Sequence, residues 1–166
     1  FTFCGCSNLA GSLNIPKTID KLDKYVFSGC SNLNGILNIS DSINSISEGA
    51  FRDCYGFSEL ILSMNLSTIS KSSFYNCFGF SGLLTIPDSV TIIEDFAFCN
   101  CTNFNELHLP SSLNSIGKGS FENCSEIRGS LELNLTVINE RSFFGCSKLD
   151  SLYLLDSLIS IESYAF

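Results

Sequence analysis

The chain has 166 residues, 45% of them hydrophobic and only 16% charged, which is enough for one domain with a packed core and too apolar for disorder. Its net charge of -8, with no basic cluster anywhere, argues against a phosphate-backbone partner, and no apolar run is long enough to span a bilayer. There is no initiator Met and no signal-like segment, and the chain opens and closes within a repeat. The expectation is a single solenoid over residues 1–166 that is a piece of a longer array, with any targeting signal outside it.

Phenylalanine sets the register of the repeat: Phe3, Phe27, Phe51, Phe74, Phe98, Phe121, Phe143 and Phe166, in steps of 22–24 residues. Three residues after each of the first seven comes a cysteine: Cys6, Cys30, Cys54, Cys77, Cys101, Cys124 and Cys146. Three further on is an apolar residue, from Leu9 and Leu33 to Ile127 and Leu149, and a small residue or Val precedes every anchor from Phe27 onward. Seven units aligned in this way make a repeat architecture.

Taken in order, coil 1 carries the alternating pair Leu13/Ile15, then Pro16, then Ile19/Leu22 at i, i+3. Coil 2 repeats this with Leu37/Ile39 and Ile43/Ile46, and coil 3 with Leu60/Leu62 and Leu66/Ile69. Coil 4 has Leu84/Ile86, Pro87 and Val90/Ile93; coil 5 has Leu107/Leu109, Pro110 and Leu113/Ile116. Coil 6 has Leu131/Leu133 and Leu135/Ile138, with one corner cut short, and coil 7 has Leu152/Leu154 and Leu158/Ile161. Period-two alternation predicts a short strand with one buried face, and proline straight after it suits a corner, because proline has no ladder donor. Coils 1, 2, 4 and 6 carry one extra residue before the strand, with Gly11, Gly35, Gly82 and Gly129 there to supply the positive φ of a bulge. A unit this short cannot bury its own apolar ring, so the coils must stack. One strand per coil in a parallel ladder predicts a spacing of about 4.8 Å and a body roughly 34 Å long.

The pattern Phe-x-x-Cys-x-x-Leu, Leu-x-Ile-Pro-x-x-Ile and Ile-x-x-x-Ala-Phe, clearest over Gly82–Ala97 and Asn103–Phe121, resembles the BspA-like, or treponemal-type, leucine-rich repeats. The resemblance covers essentially the whole chain, although coils 2, 3, 6 and 7 lack the proline. It implies a right-handed, curved solenoid with a parallel sheet, of the kind found in surface-exposed proteins of bacteria and parasitic protists that adhere to host matrix or cells.

Seven of the nine cysteines are explained by register, as a buried, reduced and stacked column that packs as small hydrophobes. Parallel Cβ vectors oppose disulfides between rungs. Cys4 and Cys99 break the pattern and read as extra loop thiols, oxidisable if exposed. Their pairs with Cys6 and Cys101 lie too far apart along the chain to make a four-ligand metal site, so neither a metal nor a cofactor is expected. His108, the one histidine, lies between Leu107 and Leu109 and points away from the core. A Cys–His nucleophilic pair with Cys101 would need a thiol that the register buries, so catalysis is not expected. Asn38, Asn65, Asn100, Asn123 and Asn134 begin Asn-x-Ser/Thr sequons.

The anchors Phe27, Phe51, Phe74, Phe98, Phe121 and Phe143 and the cysteine column are thus assigned to structure. The residue between each strand's apolar pair faces solvent: Asn14, Asn38, Ile61, Thr85, His108, Glu132 and Tyr153. Solenoids use such a face as an extended binding surface. Ile61, Thr85, His108, Glu132 and Tyr153 are the candidate contacts, their near-neutral row suited to a protein or glycan ligand. A non-catalytic interaction or adhesion module at the cell surface, or secreted, is the first reading. An intracellular scaffolding array in the cytoplasm is the second, and it rests on the nine cysteines.

Overall fold

In the computed structural model, which describes residues 1–166, the anchor phenylalanines stack on one another from end to end. Seven successive ring pairs from Phe3 to Phe166 have centroids 5.3–5.7 Å apart and planes within 13° of parallel. The backbone around them is pinned as tightly. In coil after coil the N–H of the anchor and those two residues to either side donate to the next coil, as Tyr25, Phe27 and Gly29 do to Glu48, Ala50 and Arg52. These bonds measure 2.7–3.2 Å and run unbroken through the stack.

This geometry requires a left-handed residue on each side of the anchor. The position two after it is Gly5, Gly29, Asp53, Asn76, Asn100, Asn123 and Gly145, all at φ between 60° and 79°. Glycine, asparagine and aspartate are the residues that tolerate this region. The position two before the anchor is also left-handed but less selective, and includes Tyr25, Phe96 and Arg141.

The cysteine column has a specific task. From Phe3 to Phe121 each anchor carbonyl accepts the N–H of the cysteine three residues on, and its second lone pair takes the thiol of the next coil. Phe27 O, for example, accepts from Cys30 N at 3.0 Å and Cys54 Sγ at 2.9 Å. The same thiol bond recurs for Cys30, Cys77, Cys101, Cys124 and Cys146 at 3.0–3.3 Å. A thiol supplies a weak donor at little desolvation cost, which suits a core position. All nine cysteines are free. Cys6 departs from expectation: it is exposed. Cys99 is buried, whereas Cys4 is exposed.

The expected strands form the wall that follows. They are β2 (Gly35–Asn38), β4 (Phe57–Ile61), β6 (Gly82–Thr85), β8 (Phe104–His108), β10 (Gly129–Leu133) and β12 (Leu149–Leu154). Coil 1 contributes only a single bridge, Gly11 to Leu33, so six of the seven coils carry a strand here. The inner pairs are buried from Leu37/Ile39 to Leu131/Leu133 except for Leu109, which is half-buried, while Leu152 and Leu154 are exposed on the last coil. The third wall holds two-residue strands: β1 (Lys21–Leu22), β3 (Ser45–Ile46), β5 (Thr68–Ile69), β7 (Ile92–Ile93), β9 (Ser115–Ile116), β11 (Val137–Ile138) and β13 (Ser160–Ile161). Forty residues from the three walls make one core. The structure has no helix long and apolar enough to cross a membrane.

A continuous parallel ladder is not what forms. On the first strand wall the pairs are β2–β4, β6–β8 and β10–β12; on the second they are β1–β3, β5–β7–β9 and β11–β13. Coil length explains the first set: each couple joins a glycine-bearing coil to a following coil without the extra residue. The register skips once per couple. Gly35 faces Phe57 and Ile36 faces Glu59, so the bulged residue is Ser58 on the partner strand, with the glycine opposite. The same skip occurs at Gly82/Leu83 and Gly129/Ser130. Between coils 5 and 6 both strand walls are broken.

Phe74 is fully buried, stacked between Phe51 and Phe98 and edge-on to Phe80. Phe74→Ala is expected to cost about 3–5 kcal/mol, measured by denaturant unfolding, with hydrogen exchange rising in coils 3–5 and little elsewhere.

Burial pushes the Cys54, Cys99 and Cys146 thiols up to about 12 and those of Cys77, Cys101 and Cys124 well above the usual 9.0. In the native state a thiol-alkylating reagent should label Cys4 and Cys6 quickly and the other seven only on unfolding. Because the folded values are raised, the unfolded chain loses these protons first as pH rises. Melting temperature should therefore fall between pH 9 and 12, less steeply in a Cys77→Ala/Cys101→Ala variant.

Candidate interaction face

Alternation along the strands sends two residues per coil outward, and hydrogen-bond register places them opposite each other within each couple. Asn38 faces Ile61, Thr85 faces His108, and Glu132 faces Tyr153. The five candidate residues are all exposed, Tyr153 most among the apolar ones at 58%. They stand as couples, with breaks between Ile61 and Thr85 and between His108 and Glu132. The evenly spaced row expected from the sequence is absent for that reason. Tyr153 belongs to the last coil, where its neighbours Leu152 and Leu154 are exposed too.

A second outward row lies two residues earlier on each strand, and of it the sequence points only to Leu83, as an apolar residue flanking a strand. It comprises Ile36, Glu59, Leu83, Glu106, Ser130 and Ser151, paired as Ile36–Glu59, Leu83–Glu106 and Ser130–Ser151. Extending the alternation one step toward the N-terminus would have found it. Its Glu59 and Glu106 add carboxylates to the face beside the near-neutral middle of the first row. His108 Nε2 lies 2.9 Å from Glu106 Oε1, both more than half exposed. The Cys101 thiol is buried and donates to Phe74 O, so His108 and Cys101 do not assemble into a nucleophilic pair.

Charge is segregated. Seven exposed carboxylates lie on this face and the corner after it: Asp41, Glu59, Asp88, Glu106, Glu132, Asp150 and Asp156. None of them pairs with a lysine or arginine. On the anchor wall, by contrast, Glu48, Glu122 and Glu140 are held by Lys24, Arg141 and Lys118.

Apolar exposure is segregated as well. Away from the end coils, the exposed large apolar side chains lie on coils 2–4, with Ile36, Ile61, Met64 and Leu83 on or beside the sheet. At the corner leading into β4 and β6, Tyr55 and Phe78 stack at 4.8 Å and 6° while both stay exposed. Other coils carry Ser or Thr there, as at Ser31 and Thr102. Gly79 makes this corner possible, since a Cβ on it would collide with the Tyr55 carbonyl.

The sequons divide by environment. Asn123 and Asn100 donate side-chain amides to Asn100 and Asn76, and Asn76 to Asp53, at 2.7–2.8 Å, a ladder that an attached glycan would break. Asn65 donates its amide to Asp41 O. Asn38 and Asn134 are exposed on or beside the strand face. No group of three or more His, Cys, Asp or Glu side chains is arranged to hold a metal ion.

Among curated proteins no sequence matches the chain. Solved structures do. A T. pallidum leucine rich repeat protein superposes with TM-score 0.74 at 26% identity, over 89% of this chain and 68% of that one. A leucine rich cell surface protein of Faecalibacterium prausnitzii A2-165 superposes with TM-score 0.60 at 22% identity, over 86% of this chain; the chain spans only 31% of that protein. A leucine-rich repeat protein of Bacteroides ovatus ATCC 8483 gives 0.50 at 21%, over 98% of this chain and 65% of that one. The family model for the BspA type leucine rich repeat region, in six copies, matches residues 1–83 and 80–166. With the stacked coils and parallel strand couples in place, the chain belongs to the BspA-type leucine-rich repeat family.

Proposed function

We propose that the chain is a protein-interaction and adhesion module that engages its partner through the outer face of β2, β4, β6, β8, β10 and β12, displayed at a cell surface. The observation that carries this reading is the opposition of outward side chains in register on that face, with Ile61, Thr85, His108, Glu132 and Tyr153 at its centre. Each is exposed and none fills the core, so the face is free to contact a partner while the Phe and Cys columns hold the fold. Family membership and the cell-surface description of the F. prausnitzii protein support display outside the cell. Nothing on the face assembles a nucleophile with its base, so the chemistry it offers is contact.

In an adhesion assay on surfaces coated with host cells or extracellular matrix protein, the purified chain should bind. Glu132→Lys combined with Tyr153→Ala should weaken binding by about tenfold without shifting the melting temperature, since neither side chain supports the core. Retention of full binding by a variant altered at all five positions would sink this reading. Labelling intact cells with a membrane-impermeant biotin reagent tests the location; protection of the chain from the reagent would favour the cytoplasmic scaffold.

A further inference from the structure

The break between β4 and β6 is a cleft with its own chemistry. Only Ser81 reaches back across it, its N–H and hydroxyl both donating to Ser58 O at 2.9 and 3.1 Å. Beyond that point the two strands separate without ladder bonds, so each presents an edge that lacks its usual partner. The opening has a volume of about 590 Å³, against about 250 and 270 Å³ for the two openings at the coil 5–6 break. That is within the range of about 300–1,000 Å³ that holds a ligand group.

Its walls are aliphatic. Ile61 and Met64 stand exposed on one side and Leu83 on the other, over the buried Leu62 and Pro87. Its rim is acidic: Glu59 lies in the lining, Asp88 follows Pro87 on coil 4, and Asp41 and Glu106 lie on the adjoining coils. No lysine or arginine occurs between Lys24 and Arg128 except Arg52, Lys71 and Lys118, and those three sit on the other walls. Glu59, Asp41 and Asp88 therefore have no cation from the chain itself. An apolar slot ringed by carboxylates that meet no lysine or arginine selects a complementary shape and charge: an apolar side chain flanked by positive ones. Nucleic acid and anionic glycans are repelled by the same rim.

We propose that the β4–β6 cleft is the principal contact of this face and that its occupant is a polypeptide segment with an aliphatic or aromatic residue flanked by lysine or arginine. The apolar side chain enters between Ile61 and Leu83, and the flanking cations meet Glu59 and Asp88. This rests on the interaction reading above and narrows it to coils 3 and 4.

The test is selection of a random dodecapeptide phage library on the immobilised chain, followed by fluorescence anisotropy with the winning peptide made synthetically. Selected peptides should be enriched in Lys or Arg beside an aliphatic or aromatic residue, and their affinity should fall as salt rises. Leu83→Glu and Glu59→Lys should each weaken binding by about tenfold, and Glu132→Lys by less than about twofold. Leu83→Ser, a milder change at the same exposed site, should act in the same direction, and circular dichroism should be unaltered in all four variants. Peptides without a basic bias, binding indifferent to Leu83→Glu, or no enrichment at all would overturn the proposal. Binders sensitive only to Glu132→Lys or Tyr153→Ala would overturn the cleft while leaving the face as the interaction surface. Binders indifferent to every substitution on the face would remove both.

Discussion

The structure depends on a carbonyl with two donors. From Phe3 to Phe121 each anchor phenylalanine accepts one bond from its own coil and one from the thiol of the next, while its N–H reaches forward to close the backbone ladder. Those bonds fix both the turn and the stacking distance, and the rings then lie at a separation where parallel aromatic faces attract. The strand walls can be interrupted because this wall is not. A family defined by its leucines is here held together by phenylalanine and cysteine, with the leucine strands serving as cover for the core and as display.

That division of labour explains why the binding face tolerates variety. A residue such as Glu59 or Leu83 stands outside the core, so its replacement leaves the stack intact, and coils can differ there while keeping the same anchor. Coils 3 and 4 use that freedom most. They place Tyr55, Phe78, Ile61, Met64 and Leu83 in solvent and leave the nearby carboxylates without internal cations. On the anchor wall Glu48, Glu122 and Glu140 meet cations within the chain, whereas Glu59, Asp88 and Glu132 on the strand side meet no lysine or arginine.

Much of this is written in the sequence, to different depths. The anchor and cysteine columns are legible because each position recurs once per coil. The left-handed column was equally available in Gly5, Gly29, Asp53, Asn76, Asn100, Asn123 and Gly145, all residues that accept positive φ, yet no hydrophobic pattern points to it. The outward side of the strands was half legible: alternation finds Ile61 and His108, while Glu59 and Glu106 fall before the apolar pair that marks the strand. The pairing into couples was out of reach. Whether two strands bond depends on how an extra residue in one coil is absorbed by a bulge in the next, a relation between coils that no single repeat contains. The burial of Cys99 follows from packing that its position beside the column did not reveal.

The double interruption between coils 5 and 6 has a mechanical consequence. Bonds of the anchor wall lie along the solenoid axis and load in parallel with the ring stack, so stretching meets resistance throughout. On the strand walls no strand pair spans this junction, and the two sides are joined there by the Arg128 N–H bond to Asn105 O at 3.0 Å and the Asn139 side-chain amide bond to Ile116 O at 2.7 Å. The body is therefore a stiff spine with one soft joint. Flexure at this joint would load those two bonds and no strand ladder, and would change the angle between the surfaces of coils 2–5 and coils 6–7.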